Sequence, residues 1–277
     1  MKIAVVGGNG DLGRSLNPYL LEQGHEVISI DLSLPKIDFP RPPRSAKYFV
    51  ADATDFGELV GSVQGCDAII HLAAIRSPLN NPPQVVYANN TNSSYNALYA
   101  AATLGIKRVC LASSINAIGG VWSRSAHYDY FPVDEQHPTY AEDPYSLSKW
   151  ILELQGDAFA RLHPEMRIAS LRFHMLVDTR ERAKAITRAL NPGSIRHLWA
   201  YTLLEDANRA CLLSLTADYA GHEVFNIVAP RTAVSEPSRE LAREYYPDTP
   251  VRGDFAGNTG YYDCSKAERI LGWRHED

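Results

Sequence analysis

The feature that most constrains the fold of this chain is an alternation of short, uninterrupted apolar runs with stretches of helical period. The apolar runs in the first two thirds of the 277 residues are KIAVVGG (2–8), EVISID (26–31), KYFVAD (47–52), DAIIHLAA (67–74), KRVCLASS (107–114) and RIASLRF (167–173). A strand that is apolar throughout is buried on both faces, and parallel strands joined by helices have right-handed crossovers. The alternation therefore predicts an α/β fold with a doubly wound parallel sheet.

Beyond residue 175 the alternation becomes less regular. Residues 196–215 have the pattern of a strand that turns into an amphipathic helix, 222–229 that of a strand, and 238–246 and 263–273 those of helices. No clear linker precedes this part. We therefore predict a region with the sheet at residues 1–175 and a small C-terminal lobe at 176–277, packed against the sheet on the substrate side.

The net charge and the cysteine spacing limit the classes of partner and the cellular location that the sequence allows. A net charge of −5 and a pI near 6.0 argue against nucleic acid and against an anionic membrane. The longest apolar runs are too short to span a bilayer, and no basic-then-apolar leader precedes the first strand. The four cysteines show neither a CxxC spacing nor a neighbouring histidine cluster. These features predict a cytoplasmic protein with reduced thiols, no metal site and a small-molecule partner.

A glycine-rich segment, VVGGNGDLG (5–13), ends the first predicted strand and opens the first predicted helix. Glycines at this place allow a tight turn, a close approach of the backbone to a pyrophosphate, and close packing of helix on strand. The phosphates then lie at the positive end of the helix. Turn geometry alone is the alternative explanation. The context predicts a dinucleotide site at Gly7, Asn9, Gly10, Asp11, Leu12 and Gly13.

Asp31 ends the second strand, about twenty residues after the glycines. A carboxylate there accepts hydrogen bonds from both ribose hydroxyls of NAD and repels the 2′-phosphate of NADP. The alternative is an ordinary helix cap or turn. NAD is therefore the predicted cofactor, and NADP stays open because of Lys36, Arg41 and Arg44 in the following Pro-rich loop.

The segment DPYSLSKW (143–150) places Tyr145 one helical turn before Lys149. Taken alone, the pair is typical of an exposed helix face. A tyrosine that exchanges protons near pH 7 needs its pKa lowered by about three units, or about 4 kcal/mol. A positive charge about 4 Å away at an effective dielectric constant near 20 supplies that energy. We therefore expect Lys149 to lower the pKa of Tyr145.

Together these segments resemble the extended short-chain dehydrogenase/reductases, also called the NAD-dependent epimerase/dehydratase family. The resemblance covers nearly the whole chain, and the glycine spacing combined with the YxxxK pair is its specific part. The segments that carry it are GGNGDLG (7–13), Asp31, DATD (52–55), HLAA (71–74), NNTNSSYNALYAA (89–101), ASS (112–114), YSLSK (145–149) and SKAERILGW (265–273).

The resemblance implies a Rossmann domain and a role for each matching residue. Ser114 would orient the substrate oxygen, Tyr145 would be the general acid/base, and Lys149 would also hold the nicotinamide ribose. The remaining cofactor-binding residues implied by the family are Asp52 and Ala53 at the adenine, Leu72, Ala73 and Ala74 at the middle of the cofactor, and Asn90 on the following helix. A homodimer through the helices near 90–104 and 145–161 is the family expectation, and Leu98, Ile151 and Leu154 permit it.

The reaction is predicted from departures from the family pattern. No Asp-Glu pair follows Ser114, Ile118 replaces a tyrosine common in nucleotide-sugar epimerases, and His174 replaces their asparagine. The layout looks more like that of the compact uronate dehydrogenases. These departures favour a dehydrogenase/reductase that transfers hydride between NAD(P) and a hydroxyl or carbonyl group, in a sugar, sugar acid or similar compound. A nucleotide-sugar epimerase or dehydratase is the alternative.

The candidate substrate-binding residues follow strand ends or lie in the C-terminal part. They are Arg76, Ser77, Ser114, Asn116, Arg172, His174 and Trp199. Either arginine suits a carboxylate, with surface solvation or a structural ion pair as the alternative; for His174 the alternative is a packed loop residue. A non-catalytic NAD-binding regulator is the hypothesis from a different class. Such relatives usually lose the tyrosine and the lysine, which this chain keeps.

Overall fold

The computed structural model describes residues 1–35, 46–187 and 192–276. Within these ranges, a main sheet of seven parallel strands and a separate pair of short parallel strands are formed. In chain order the strands are β1 (Lys2–Val6), β2 (Glu26–Asp31), β3 (Lys47–Val50), β4 (Ala68–His71), β5 (Arg108–Ser114), β6 (Arg167–Phe173), β7 (Leu176–Val177), β8 (Thr202–Leu203) and β9 (Gly221–Ile227).

Helices follow most strands of the main sheet. They are α1 (Asp11–Glu22), α2 (Phe56–Ser62), α3 (Pro83–Leu104), α4 (Pro144–Leu162), α5 (Arg180–Thr187), α6 (Pro192–Arg196), α7 (Leu204–Thr216), α8 (Ser238–Tyr245) and α9 (Ser265–Leu271), with a 3₁₀ turn at Ile115–Ile118. No helix in the described ranges combines the length and the apolar character that a membrane span requires.

The order of the main sheet is β3-β2-β1-β4-β5-β6-β9, and every neighbouring pair in it is parallel. The chain moves outward from β1 in one direction as far as β3 and returns to continue from β4 in the other. This reversal between β1 and β4 creates a crevice at the carboxyl ends of the strands, where ligands bind in such sheets. The order confirms the predicted doubly wound parallel sheet.

Apolar side chains cover both faces of the sheet. Leu16 of α1 and Cys211 of α7 belong to the buried cluster on one face, while Leu59 of α2, Leu98 of α3 and Leu152 of α4 belong to the cluster on the other. Burial on both faces explains why β1, β4, β5 and β6 have no polar alternation in the sequence. The prediction of burial is wrong for the edge strand β3, in which Phe49 and Val50 are exposed. The strand ends are thereby fixed from two sides, and they form the floor of the site described below.

The last hundred residues contribute to more than a terminal lobe. β9 is the edge strand beside β6, and α7 packs against α1 on the face of the sheet. A further apolar cluster combines Phe131 and Tyr128 with Trp199, Tyr261 and residues near them, so its members come from both sides of residue 175. The predicted division at residue 175 therefore separates the chain in sequence, while the sheet and this cluster both cross it. A substrate-side role of 176–277 stays a prediction.

Candidate active site

The glycine-rich segment forms the turn between β1 and α1. Gly7 has φ +88°, and a Cβ atom on it would lie 2.6 Å from the backbone nitrogen of Ala73. A Cβ on Gly13 would lie 2.6 Å from the carbonyl oxygen of Gly7. Such distances are sterically forbidden, so both positions require glycine. The turn brings the first turn of α1, with its unpaired backbone N–H groups, to the carboxyl ends of β1 and β4.

A cleft of about 780 Å³ follows the carboxyl ends of the strands from β2 to β6. Almost all of the predicted cofactor-binding residues line it. They are Gly7, Asn9, Gly10, Asp11, Leu12, Gly13, Asp31, Asp52, Ala53, Leu72, Ala73, Ala74, Tyr145 and Lys149. The structure therefore brings together residues that are up to 142 positions apart in the chain, counted from Gly7 to Lys149.

Asp31 lies at the end of β2 and faces this cleft. Its Oδ2 accepts a hydrogen bond from the backbone nitrogen of Asn9 at 2.8 Å, and its Oδ1 accepts one from that of Leu32 at 2.8 Å. These bonds hold the carboxylate beside the glycine turn. Lys36, Arg41 and Arg44, the residues that keep NADP open, lie outside the described residues.

The end predicted to hold adenine is built around Asp52. Its Oδ1 accepts hydrogen bonds from the backbone nitrogen and the hydroxyl of Thr54, both at 2.8 Å. Asn96 of α3 donates to the carbonyl oxygens of Ala53 and Thr54 at 3.1 and 2.9 Å. Thr54 also lines the cleft, and the sequence prediction missed both it and Asn96.

Asn90 is the predicted cofactor-binding residue that does not line the cleft. Its Oδ1 accepts from the backbone nitrogen of Ile75 at 2.8 Å, and its Nδ2 donates to the Ile75 carbonyl oxygen and to Ser148 Oγ, each at 3.0 Å. Asn90 therefore ties the loop after β4 to α3 and α4 and holds the wall of the cleft from behind. Asn89 and Ser93, on the same helix, do line the cleft.

The predicted catalytic residues meet at the other end of the cleft. Asp143 caps α4 by accepting from the backbone nitrogens of Tyr145 and Ser146 at 2.9 and 3.0 Å, and Pro144 fits the first helical position. The helix therefore starts so that Tyr145 stands in its first turn. Tyr145 lies close to Ser114 at the end of β5, whose hydroxyl acts to lower the pKa of the phenol, and Lys149 Nζ lies 5.8 Å from the centre of the Tyr145 ring.

The expected lowering of the Tyr145 pKa by Lys149 is wrong for the protein in this state. Burial raises the pKa of the phenol, and the groups that oppose burial are the Ser114 hydroxyl and the charge of Arg76. Burial also lowers the pKa of Lys149 to about 8, against a partial opposing effect of Glu153. Because Lys149 loses its proton before the phenol does, its positive charge is absent at the pH where the phenol ionises.

Lys149 is 4% exposed and donates from Nζ to the carbonyl oxygen of Ala112 at 2.6 Å. His71, at the end of β4, lies close enough for the two charges to interact, and burial lowers the pKa of His71 to about 3. His71 is therefore neutral near pH 7. The ammonium group of Lys149 therefore faces the cleft from a buried position beside a neutral His71.

The end predicted to hold the substrate lies beyond Ser114, Tyr145 and Lys149 and is lined by side chains from distant segments. Asn116 Nδ2 donates to Ser114 Oγ at 3.3 Å, while no described group donates to its buried Oδ1. His174 and His197 lie with ring centres 5.4 Å apart, and burial lowers the pKa of each. The cleft-lining residues that sequence reasoning missed at this end are Ile115, Val121, Trp122, Phe173, Met175, Leu176 and His197.

Three predicted substrate-binding residues do not line the cleft. Ser77 Oγ accepts from the backbone nitrogen of Leu79, and Trp199 is fully buried against Tyr245 and Tyr261. Arg172 forms a buried two-pronged ion pair with Glu153. The structural ion pair, which was the alternative for Arg172, is therefore what the fold contains. A guanidinium engaged in this way is not available to a substrate carboxylate.

Arg76 does line the cleft, between the glycine turn and Tyr145. Its Nη1 lies 2.6 Å from Asp11 Oδ2, and Arg14 contacts the other oxygen of the same carboxylate at 2.9 Å. The hydrogen bond and charge of Arg76 lower the pKa of Asp11. Because the Arg76 side chain is 71% exposed, its pair with Asp11 contributes little to stability and leaves the guanidinium able to exchange partners.

The residues present fit a dinucleotide. A glycine turn that admits no Cβ, a helix N-terminus and a strand-end carboxylate follow one another along the cleft, which is the donor and acceptor set that pyrophosphate and ribose require. The volume of about 780 Å³ lies within the range of cofactor and ligand sites.

Comparison with known proteins gives the same answer at the level of the family. Residues 3–228 match the NAD dependent epimerase/dehydratase family. Among similar proteins, the chain is 30% identical over 196 residues to the dTDP-6-deoxy-L-talose 4-dehydrogenase (NAD(+)) of Aggregatibacter actinomycetemcomitans, covering 69% of this chain and 67% of that one. It is 31% identical over 144 residues to a putative dihydroflavonol 4-reductase of Synechocystis, covering 51% and 41%. The chain thus spans less than half of the second relative.

The fold has close counterparts among solved structures. A UDP-glucose-4-epimerase from Stenotrophomonas maltophila, solved with bound NAD and formylated UDP-arabinopyranose, superimposes with a TM-score of 0.74 at 21% identity. The superposition covers 100% of this chain and 94% of the epimerase chain. At this identity the likeness establishes the fold, and the reaction is argued from the site.

Proposed function

The chain belongs to the NAD-dependent epimerase/dehydratase family, and from this premise we propose that it is an NAD-dependent oxidoreductase. In this proposal it transfers hydride between the nicotinamide and the hydroxyl- or carbonyl-bearing carbon of a sugar, sugar acid or similar compound. The observation that carries the proposal is the meeting of Ser114, Tyr145 and Lys149 at one end of a cleft whose other end suits NAD. NAD as the cofactor agrees with the NAD dependence of the family.

The chain's own residues supply binding and proton transfer. Ser114 holds the substrate oxygen in hydrogen-bond reach of Tyr145, and Tyr145 takes the hydroxyl proton in the oxidative direction or gives it back in the reductive one. Lys149 binds the nicotinamide ribose. Bound NAD supplies the hydride acceptor and, when oxidised, a positive charge that stabilises the Tyr145 phenolate beyond what Ser114 and Arg76 contribute.

An oxidoreductase is favoured over an epimerase by the chemistry of the substrate end. Beyond Ser114, Tyr145 and Lys149, the ionisable groups in the described lining of that end are the imidazoles of His174 and His197, and burial keeps both neutral near pH 7. The cation Arg76 lies on the opposite side of the triad, near the glycine turn. A nucleotide diphosphate carries charges that need cationic partners, whereas neutral imidazole and amide groups suit hydroxyl groups. The dehydrogenase among the relatives points to the same reaction type, although its substrate is a dTDP sugar by name.

The preference for NAD over NADP is proposed from Asp31. Its carboxylate is fixed by Asn9 and Leu32, and each of its oxygens keeps a lone pair for a ribose hydroxyl. A 2′-phosphate at the same place would meet a like charge. A cytoplasmic location stays a prediction, and it rests on four cysteines that are unpaired in the structure.

A homodimer is proposed through the outer surface of α3 and α4. Tyr95 and Tyr99 of α3 are each 48% exposed, and Leu154 of α4 is 41% exposed. Of the apolar residues that the sequence analysis named as compatible with a dimer, Leu154 is on this surface. Leu98 is buried in the core and does not reach the surface. Sedimentation of wild type against Leu154→Asp/Tyr99→Asp tests the proposal, which predicts a dimer for wild type and a monomer for the variant.

The test of the oxidoreductase proposal is Tyr145→Phe. We expect turnover of a hydroxy compound with NAD to fall by about 10²–10⁴-fold, the range for one general acid–base group, while NADH binding stays near the wild-type value. Tyr140→Phe, which removes an exposed phenol bonded to Asp129, is the matched control and keeps full activity. Equal turnover in Tyr145→Phe and wild type contradicts the assigned role.

A further inference from the structure

Helix α4 presents three functional side chains at intervals of one turn. Tyr145 and Lys149 face the cleft, and Glu153 follows at the next turn with 5% of its surface exposed. Residues four positions apart lie one above the other on the same helix face. Glu153 is therefore the neighbour of Lys149 on the side away from Tyr145, and neither the glycine motif nor the YxxxK pair draws attention to it.

Glu153 is held by two strands. Arg172 of β6 donates from Nε to Oε1 at 2.8 Å and from Nη2 to Oε2 at 2.7 Å, and Ser113 of β5 donates to Oε1 at 2.6 Å. The side chains of Glu153 and Arg172 are each 6% exposed. A buried two-pronged pair of this kind fixes the orientation of both partners.

The segment of β5 that contacts Glu153 also contacts Tyr145 and Lys149. Ala112 accepts from Lys149 Nζ at 2.6 Å, Ser113 donates to Glu153, and Ser114 lies close enough to Tyr145 to influence its pKa. Three consecutive residues of β5 thus contact three consecutive turns of α4. Loss of the hydrogen bond between Ser113 and Glu153 would remove the contact that fixes the central residue of this strand segment to α4.

Among the described groups that act on Lys149, Glu153 is the anion that balances the positive charge of its ammonium group. His71 on β4 is neutral, because burial lowers its pKa to about 3, and Tyr145 is a neutral phenol. Arg172 contacts Glu153 on its other side, and the Glu135 carbonyl accepts from Arg172 at 3.5 Å. Glu153 raises the pKa of Lys149 against the effect of burial.

We propose that Glu153 is a positioning residue that keeps the Lys149 ammonium protonated and, through Ser113, aligns the strand end that carries Ser114. Arg172 keeps the carboxylate in place. The proposal rests on the function proposed above, since it gives Glu153 a task only if Lys149 and Ser114 serve the reaction. Its core, the coupling between Glu153 and Lys149, is measurable without substrate or cofactor.

The same helix offers a matched control one turn further on. Asp157 Oδ1 lies 2.7 Å from His222 Nδ1, and His222 Nε2 lies 2.8 Å from Ser170 Oγ. Like Glu153, Asp157 is a carboxylate of α4 that pairs with a basic side chain and is linked to a strand serine, although here the link to Ser170 runs through His222. This arrangement lines no part of the cleft described above, and Asp157 is two turns from Lys149.

The test is titration of Lys149 in the cofactor-free full chain by NMR of lysine labelled at Cε, with Lys149→Met to identify the signal. We expect a wild-type midpoint near pH 8. Glu153→Gln should lower it by about one unit, a tenfold loss of proton affinity, and Asp157→Asn should leave it in place. An unchanged midpoint in Glu153→Gln overturns the proposal.

A second variant answers the case in which Glu153→Gln does not fold because Arg172 is left buried and unpaired. Glu153→Gln/Arg172→Met removes both charges and should fold, with the Lys149 midpoint still lowered and the alkaline limb of kcat/KM moved to lower pH. Return of the midpoint to the wild-type value in this double variant overturns the proposal in favour of a structural role. A wild type that titrates as expected but transfers no hydride contradicts the proposed function alone.

Discussion

The two ends of the cleft are built from different parts of the polypeptide. The cofactor end consists largely of backbone, in which Gly7 and Gly13 approach neighbouring main-chain atoms so closely that no side chain fits. The substrate end consists of side chains from separate loops, including Asn116, His174 and His197. The shape of the cofactor end therefore depends on the absence of side chains at two glycines, and that of the substrate end depends on which side chains line the cleft.

The difference has consequences for substitution. At the cofactor end a single added methyl group displaces main chain, and the whole anion site moves with it. At the substrate end one side chain can be exchanged while its neighbours keep their places, so selectivity can change without loss of cofactor binding. Electrostatics differ in the same way, because Arg76 brings positive charge beside the glycine turn, while the imidazoles of His174 and His197 are neutral at the substrate end.

The largest effect is expected at the cofactor end, for Gly13→Ala. The added Cβ would lie 2.6 Å from main-chain atoms of Gly7 and Gly8, and relief of the overlap moves the first turn of α1 away from the phosphates. An overpacking cost of about 1–3 kcal/mol corresponds to an increase of about 10–100-fold in the Kd for NADH, measured by fluorescence titration. Gly61→Ala, where the Cβ meets open space, should bind as wild type does. Undiminished binding by Gly13→Ala would refute the close approach.

A smaller and selective effect is expected for Asp31→Ser at the same end. Loss of a charge-assisted hydrogen bond to the ribose, about 1.5–3 kcal/mol, should reduce the ratio of NADPH to NADH dissociation constants by at least about tenfold. Asp254→Asn, an exposed carboxylate outside the cleft, is the control and should leave the ratio unchanged. An equal ratio in Asp31→Ser and wild type would show that Asp31 does not select the cofactor.

At the substrate end, His197→Leu should raise KM by about 3–10-fold, the value of one neutral hydrogen bond, with no change in the Kd for NADH. His197 lines the cleft, and no described group bonds to its buried Nδ1, so a substrate hydroxyl that reached this ring would satisfy the atom. Steady-state kinetics and NADH titration on the same preparation separate the two constants. His127→Gln, an exposed histidine paired with Asp129, serves as the control. A parallel rise of both constants would mean that the ends are not independent.

The smallest effect is expected in the dependence of stability on pH. Burial lowers the pKa of His174 in the folded protein, so below about pH 6.5 the unfolded chain binds a proton that the folded chain does not. The stabilising contribution is fully present above pH 6.5 and is lost as the pH falls. Between pH 7 and 5.5, His174→Asn should therefore lose about 1 kcal/mol less stability than wild type in urea unfolding. Parallel losses would show that His174 is protonated in the folded state.

The glycine turn, the Asp31 carboxylate and the Tyr145–Lys149 pair were predictable because their sequence signals are local. Gly7, Gly10 and Gly13 lie within seven consecutive residues, and Asp31 ends the next strand. Tyr145 and Lys149 are four residues apart on one helix. Each feature follows from a spacing that the secondary structure imposes. Two expectations met physical effects that the spacing does not show. Asn90 bonds to the loop of Ile75 behind the wall of the cleft, so its role at the cofactor stays a prediction, and burial raises the pKa of Tyr145 against the expected lowering.

The substrate end was predicted less well because tertiary packing alone brings its residues together. His197 and Trp122 come from irregular segments whose spacing carries no periodic signal. Arg172 lies on β6, and its register against β5 places it opposite Ser113, where Glu153 of α4 takes its guanidinium. The sequence pattern around such an arginine is the same whether its partner is a carboxylate of its own chain or a carboxylate of the substrate, so the sequence alone does not distinguish the two.

The measurement that tests the central claim most directly is the amount of NADH formed per active site when enzyme is mixed with excess NAD and a panel of sugars, sugar acids and dTDP or UDP sugars. The account predicts that the reduced-nicotinamide absorbance grows well beyond one equivalent with at least one compound, and that Tyr145→Phe abolishes the growth. Absorbance that stays at or below one equivalent, while a nucleotide sugar changes configuration, would contradict the account and establish an epimerase. NAD binding without any reaction across the panel would contradict it in favour of a regulator.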